Sequence, residues 1–509
     1  MRIALGSQMR EMDRITIEEY GIPGVVLMEN ASWAVADKCA KRLKSCGGNK
    51  AVFVCGTGNN GGDGFAAARI LKIRGFECVI FLAGNPEKIK GDALINYNAA
   101  VNMEIPIIND ISQAEKLLSE TDLIVDAIFG TGFSGEPRKA SAQVIDKINN
   151  SGKYVISVDI ASGVDSETGH ASDICVQADE TVSFCMAKLG NILYPGAEKC
   201  GRLNVADISI PYQVRESVGI NISSLDFEEA KALLPVRHPR SNKGTYGKLF
   251  VIAGSHTMAG AAYLSSKSAY RTGCGLVYTC IPAECLNTMQ TILPEAVAKP
   301  VESVEGMFCK ESFVQIREDL KAARAVAVGP GMGQGKGVME FVEELLLNIE
   351  CPAVIDADAL NAVSRSPEIL LKMKHMPVIT PHPGEMSRLT GKSVRDILAD
   401  TVGTASEFAR KYNTVVLLKD ARTVIASPDG RIRINMTGNN SMAKGGSGDV
   451  LTGIIGALMC GIRDCFDAAS LGAYIHGKSG EAACSALGRY GVIAGDISDC
   501  IPNVLKNME

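Results

Sequence analysis

The sequence predicts two α/β domains in one chain, an N-terminal Rossmann-like α/β/α sandwich followed by a second α/β/α domain. Three observations predict it. Short apolar runs alternate with helical patterns along nearly the whole chain, as in doubly wound sheets. The runs are β-branched and apolar on both faces, as strands covered by helices on both sides must be. At 509 residues the chain is too long for one ordinary core.

In the first half the expected strands are AVFVC (51–55), CVIFLA (78–83), LIVDAIF (123–129), YVISVDI (154–160) and ETVSF (180–184). Around 211–240 the chain turns polar, with Pro211, Pro235 and Pro239 and the basic run Arg237, His238, Arg240 and Lys243. That shift sets a boundary near 215–225, giving domains of 1–218 and 219–509. The βα theme then restarts with KLFVIAG (248–254), GLVYTCI (275–281), AVAVGPG (325–331), PAVIDAD (352–358), PVITPHP (377–383), TVVLLKD (414–420) and TVIASP (423–428). There is no low-complexity segment and no short-period repeat.

Composition excludes several classes. Hydrophobic content of 46% and charged content of 21% are those of a globular protein. A net charge of −5 gives no support for nucleic acid or an anionic membrane as partner. The 16 cysteines sit among apolar residues without a CxxC pair, which suits free thiols in a cytoplasmic location and not a zinc site. The first residues lack the apolar core of a secretion signal, so none is expected. The apolar run Val450 to Ile462 is too short to span a bilayer and reads as a buried helix.

Open parallel sheets bind ligands beyond the carboxyl ends of their strands. Three turns of the first half lie there. GTGNNGGDG (56–64) precedes a helix, so its glycines can bring backbone N–H groups to an anion and the helix adds its positive end. It is not the GxGxxG fingerprint. DAIFGTGFSGE carries Asp126 and the loop Gly130 to Glu136, and VDIASGVDSETG carries Asp159 and Ser162. Each is also readable as a plain glycine-rich βα loop. Together they gather oxygen ligands from Asn60, Asp126 and Ser162, suited to a hard cation. Asp159 is then a carboxylate in a partly desolvated cleft, suited to proton transfer.

In the second half, GNNSMAKGGSGDVLTGIIGALMCGI places Gly445, Gly446 and Gly448 where they can form an anion nest. Asp449 opens a helix with Leu451, Ile454, Ile455, Leu458 and Met459 on one face. It could be an N-cap only. The functional reading is phosphoryl transfer, with the nest stabilising the transferring group and Asp449 taking a proton from the attacking hydroxyl. GPGMGQG (329–335), TPHPGE with His382 and Glu385, KDART with Lys419 and Thr423, and GSHTMAGAA (254–262) are further strand-end turns for the same site.

These motifs resemble known families. GNNGGDG, DAIFGTGFSGE and VDIASGVDSETG resemble the NAD(P)H-hydrate epimerase domain. GPGMG, IDADAL, TPHPGE, KDART and NNSMAKGGSGDVLTG resemble the ADP/ATP-dependent NAD(P)H-hydrate dehydratases of the ribokinase-like superfamily. Their order resembles the bacterial bifunctional NAD(P)H-hydrate repair enzymes over nearly the whole chain. The resemblance implies substrates NADHX and NADPHX and a homo-oligomer. It implies hydrate contacts from Asn59, Asn60, Gly61, Gly62, Asp63, Gly130, Thr131, Gly132, Phe133, Ser134, Gly135, Glu136 and Asp159. Asn60, Asp126 and Ser162 would bind K+, and Asp159 would be the acid/base. In the second half it implies hydrate contacts from Ala261, Gly333, His382 and Asp449, with Ala261 the weakest match. Lys419, Asp420, Ala421, Arg422, Thr423 and Gly448 would contact ADP or ATP, with Mg2+ bridging its phosphates and Glu385 an outer holder of that ion. Two rivals stay open: a ribokinase-like small-molecule kinase whose N-terminal half only senses a nucleotide, and a non-catalytic N-terminal binding or assembly module.

Overall fold

In the computed structural model, which describes all 509 residues, the chain divides into two units, Arg2–Ile220 and Asn221–Glu509. The first is built on β1 (Lys50–Cys55), β2 (Glu77–Leu82), β3 (Ile107–Ile108), β4 (Leu123–Ala127), β5 (Tyr154–Val158), β6 (Glu180–Phe184) and β7 (Arg202–Ala206). They pair in the order β3-β2-β1-β4-β5-β6-β7, every neighbour parallel. The order reverses between β1 and β4, the switch point at which such sheets bind ligands. Alternate residues of β1 enter opposite cores. Phe53 and Cys55 pack with Phe65 and Val125, while Val52 and Val54 pack with Ile124 and Ile145. Burial on both faces is why these strands read as unbroken apolar runs. β3 has only two residues, and β7 is a half-exposed edge carrying Arg202 and Asn204. Neither has an apolar run for sequence reading to find.

The second unit contains β8 (Lys248–Ile252), β9 (Leu276–Pro282), β10 (Val297–Val301), β11 (Ala325–Val328), β12 (Ala353–Ile355), β13 (Val378–Ile379), β14 (Val415–Leu418), β15 (Val424–Ala426) and β16 (Ile432–Ile434). Their order is β10-β9-β8-β11-β12-β13-β14-β15-β16, with the short strand Ile222–Ser223 beside β16. Pairing is parallel as far as β14 and antiparallel across β15 and β16. Besides Ile222–Ser223, two of these nine strands lay outside the sequence expectation. β10 holds Lys299 and Pro300, which an edge strand tolerates. β16 follows a tight turn at Asp429 and Gly430 and is only three residues long.

The Ser447–Met459 helix is buried on nearly every side, as its apolar run implied. It lies against the Ala259–Thr272 helix with Gly453 at the crossing, where a Cβ would stand 2.1 Å from the Ser265 carbonyl oxygen. No helix is long and apolar enough to cross a membrane.

Candidate active sites

A cavity of about 930 Å³ opens beyond the carboxyl ends of β1, β4 and β5 in the first unit. Thr57, Asn59, Asn60, Asp63, Gly130–Ser134, Glu136 and Asp159 line it. Gly61, Gly62 and Gly135 do not.

The GTGNNGGDG segment is arranged differently from the loop its composition suggested. Gly58 is the N-cap, and Asn59 to Asp63 are already the first turns of the Asn59–Ile73 helix. Its glycines mostly make room for the protein itself. A Cβ on Gly56 would stand 2.1 Å from the Ile128 oxygen, one on Gly61 2.0 Å from the Gly56 oxygen, and one on Gly64 2.6 Å from Cys55 Sγ. At Gly62 it would stand 2.7 Å from Met28 Cε, and only at Gly58 would it meet open space. Helical glycine costs about 1 kcal/mol relative to alanine. Here that cost accompanies the seating of the helix start against β1 and β4.

Asn60, Asp126 and Ser162 converge on the chain that follows β4. Ser162 Oγ donates to Asp126 Oδ1 at 2.6 Å, and the Ser162 amide donates to Asp126 Oδ2 at 2.9 Å. Ser157 Oγ donates to Asp126 Oδ2 at 2.8 Å. The Phe129 peptide joins the other two: its N–H donates to Ser162 Oγ at 2.9 Å, and its carbonyl accepts from Asn60 Nδ2 at 2.9 Å. Asn60 Oδ1 is left for another partner, and a Cβ on Gly130 would close on it to 3.1 Å. Burial pushes the Asp126 carboxyl above its ordinary range, against four hydrogen bonds that favour its charge. An all-oxygen set with one formal charge fits a monovalent cation.

Asp159 stands just past β5 with φ 68°. Its partner is Lys188, a residue sequence reading did not single out. The Lys188 ammonium is buried, ion-paired to Asp159 Oδ1, and also donates to Ser183 Oγ at 3.1 Å and to the Phe184 carbonyl at 2.9 Å. The short strand Arg2–Ala4 pairs in parallel with Ala187–Lys188 and so fixes the lysine from below. Two more carboxyls face the same space. Burial, with Asp159 nearby, pushes Asp13 up to about 6. Burial, with Asp159 and Asp13 nearby, pushes Asp63 well above its usual range. Asp13 belongs to the Gly6–Glu18 helix, far in sequence from every glycine turn. Only folding reveals it.

In the second unit, Gly446 caps the Ser447–Met459 helix in the left-handed region at φ 88°, with no side-chain cap. Asp449 is the third helical residue and is not the N-cap. Burial, followed by repulsion from Asp356, pushes its carboxyl up to about 6. Below it lies a network that sequence reading found only in part. Asp356, just past β12, accepts from Lys419 Nζ at 2.8 Å through Oδ1 and from Thr452 Oγ1 at 2.7 Å through Oδ2. Glu385 Oε2 is 3.9 Å from Lys419 Nζ.

Other expected residues surround this network. His382 is the N-cap of the Pro383–Thr390 helix, where Nδ1 accepts from the Gly384 amide at 3.0 Å; about half of its side chain stays exposed. The Gly333 amide donates to Asp358 Oδ2 at 2.8 Å. Ala261 faces Gly331, where a Cβ would meet its methyl at 2.7 Å. Asp420 and Ala421 are exposed beyond β14, Thr423 Oγ1 donates to the Asp420 carbonyl at 3.4 Å, and Arg422 donates to the Met436 carbonyl at 3.0 Å. Asp356 lay within the quoted motif IDADAL. A strand-end aspartate was the available signal for it.

A Rossmann-order sheet with a charged cavity and a second sheet with a glycine-capped, aspartate-bearing helix define a two-unit α/β enzyme. Residues 24–190 match the family model of the YjeF-related protein N-terminus, and residues 249–503 match that of NAD(P)H-hydrate dehydratase. A bifunctional NAD(P)H-hydrate repair enzyme Nnr of Moorella thermoacetica is 39% identical, covering 100% of this chain and 97% of its own. The chain belongs to the family of bifunctional NAD(P)H-hydrate repair enzymes. An ADP/ATP-dependent NAD(P)H-hydrate dehydratase of Bacillus subtilis, co-crystallised with ATP and Mg2+, is 33% identical over 57% of this chain and 100% of that one, with a TM-score of 0.48. A ribokinase-like superfamily protein of Enterococcus faecalis shares the fold of the second unit at 22% identity, 57% and 96% coverage, and a TM-score of 0.51.

Proposed function

We propose that the chain repairs hydrated NADH and NADPH, with residues 1–218 interconverting the R and S epimers and residues 219–509 dehydrating the S epimer with ADP or ATP. The observation that carries this reading is the pairing of two separate constellations, Asp159–Lys188 in the first unit and Asp449 above Asp356–Lys419 in the second. A full-length relative at 39% identity supports their presence on one chain.

The hydrate carries a hydroxyl on C6 beside the ring nitrogen. Epimerisation requires reversible opening at C6 with protons removed and returned, which is the work of Asp159. Lys188 holds that carboxylate in place. Gly130 to Ser134, Glu136, Asn59, Asn60 and Asp63 would receive the dinucleotide. Asn60, Asp126 and Ser162 would hold K+, which supplies a fixed positive charge to the loop after β4.

Dehydration requires a better leaving group than hydroxide. Asp449 takes the proton of the C6 hydroxyl as that oxygen attacks the terminal phosphoryl group, leaving AMP from ADP or ADP from ATP. The ring nitrogen lone pair then expels phosphate, and loss of the C5 proton restores NAD(P)H. First-turn amides at Gly448 and Asp449 stabilise charge on the transferring group. Mg2+ would neutralise the nucleotide phosphates, with Glu385 as its outer holder. Lys419 to Thr423 would meet the nucleotide, and Ala261, Gly333 and His382 the hydrate.

The test is recovery of dihydronicotinamide absorbance from a mixed R/S hydrate with ADP or ATP and K+. Full recovery supports both halves. Recovery that stops when one epimer is exhausted removes the epimerase. A stable phosphorylated product without NAD(P)H would favour a ribokinase-like small-molecule kinase instead.

A further inference from the structure

Two ion-paired lysines of this chain, Lys188 fully buried and Lys419 partly so, are bonded very differently. All three donors of Lys188 are taken, by Asp159, Ser183 and the Phe184 carbonyl. Lys419 makes a single hydrogen bond, to Asp356, with Glu385 a longer contact. An ammonium has three donors, so two remain for another acceptor. They adjoin the glycine nest: a Cβ on Gly448 would stand 3.6 Å from Lys419 Nζ and 3.7 Å from Asp356 Oδ2. Gly448 therefore leaves a gap beside the lysine through which the nest and the ammonium can reach one ligand.

Asp356 sets this arrangement. Its carboxylate is 1% exposed, with one oxygen on Lys419 and the other on Thr452, one helical turn beyond Asp449. The end of β12 thus ties the end of β14 to the phosphate end of the helix. A buried ion pair is a poor device for stability alone, since apolar residues of similar volume often serve as well or better. Here the pair leaves an under-used cation at the place where negative charge would be handled.

We propose that Asp356 is a positioning residue for phosphoryl transfer, holding the Lys419 ammonium beside Gly448 so that it meets the transferring phosphoryl group. This rests on the reading of the Asp449 site as the dehydratase centre. The charges facing Asp449 are Asp356, Asp358 and Lys419, with Glu385 behind the lysine. His476 approaches the same helix turn through Ser447 at 3.2 Å, and burial pulls it down to about 4, so it is neutral there.

The experiment compares wild type, Asp356→Asn and the charge-neutral double variant Asp356→Asn/Lys419→Met as full chains. Dehydration of the S epimer with ADP is followed across pH, and epimerase activity is the internal control for an intact chain. In Asp356→Asn, kcat should fall about 10²- to 10³-fold, as for loss of one preorganised donor. The KM for ADP should stay within about threefold, as for an interaction made only in the transition state. The acid limb of the rate profile should move to lower pH, because Asp449 loses a like-charged neighbour. The double variant removes both partners of the ion pair and should be equally slow while retaining its fold. A merely structural Asp356 would lower thermal stability while leaving kcat near wild type below the melting temperature. A kcat within twofold of wild type in either variant overturns the proposal. Inactive wild-type protein would instead remove the dehydratase reading.

Discussion

Lys188 and Asp159 form a buried ion pair in which every donor of the lysine is committed. The lysine cannot turn toward substrate without abandoning these bonds, whereas Asp159 keeps its second oxygen for the cavity it lines. Asp159→Asn should abolish R/S interconversion and leave dehydration of pure S hydrate intact. Lys188→Met should also lose epimerisation and lower the melting temperature, since an unpaired buried carboxylate costs about 3–5 kcal/mol. Near-normal epimerisation by Asp159→Asn would remove it from the mechanism.

The glycines after β1 give a test of packing against ligand approach. Gly61→Ala would drive a Cβ into the Gly56 carbonyl, a backbone atom that cannot yield cheaply, while Gly58→Ala meets nothing within 4 Å. Gly61→Ala should therefore destabilise the chain by more than 1 kcal/mol in denaturant titration, at about the cost of overpacking a core. Gly58→Ala should leave stability unchanged. If both variants unfold like wild type, the packing account fails.

Asp449 carries a charge its surroundings resist. Its folded value of about 6 lies above the ordinary 3.8, so the native state is penalised wherever the group is ionised. Dehydration should lose rate as pH falls through about 6, and Asp449→Asn should cost ~10²–10⁴-fold in kcat. The same variant should be more stable than wild type at pH 7.5, by up to about 3 kcal/mol. That gain should shrink as pH falls from above 6 towards 3.8 and vanish below it, where wild-type Asp449 is protonated in both states. Thermal melts of the two proteins across that range check the sign.

The Asn60, Asp126 and Ser162 arrangement predicts monovalent-cation dependence confined to one activity. Epimerisation should rise with K+, while dehydration of S hydrate should respond only to nucleotide and Mg2+. Asp126→Asn should abolish the K+ response and cost some stability, because it disturbs the hydrogen bonds from Ser157 and Ser162. Epimerisation unaffected by replacing K+ with choline would remove the cation from this site.

What could be read in advance followed burial and motif. Strands covered on both faces are continuous apolar runs, so β1, β4, β5 and most of the second sheet were legible. The two-residue β3 was too short to make a run, and the edges β7 and β10 break theirs with Arg202, Asn204, Lys299 and Pro300, so these were not. Glycine turns marked both sites because turn geometry is local. Asp13, Lys188 and Asp356 were missed as site residues because none stands in such a turn pattern with a role of its own.

The sequence alone determined two α/β units, the turns at their strand ends and the places of Asp159 and Asp449 at a strand end and a helix start, since periodicity, glycine placement and helix starts are set by neighbours along the chain. Tertiary structure decided which groups share a dielectric. It put Lys188 under Asp159 from a strand 29 residues away. It joined Asp356 to Lys419 and Thr452 across 63 and 96 residues. It turned the glycines of GTGNNGGDG mostly toward the protein and away from solvent. Ion pairing and charge repulsion depend on distance in space, which residue spacing along a chain does not encode.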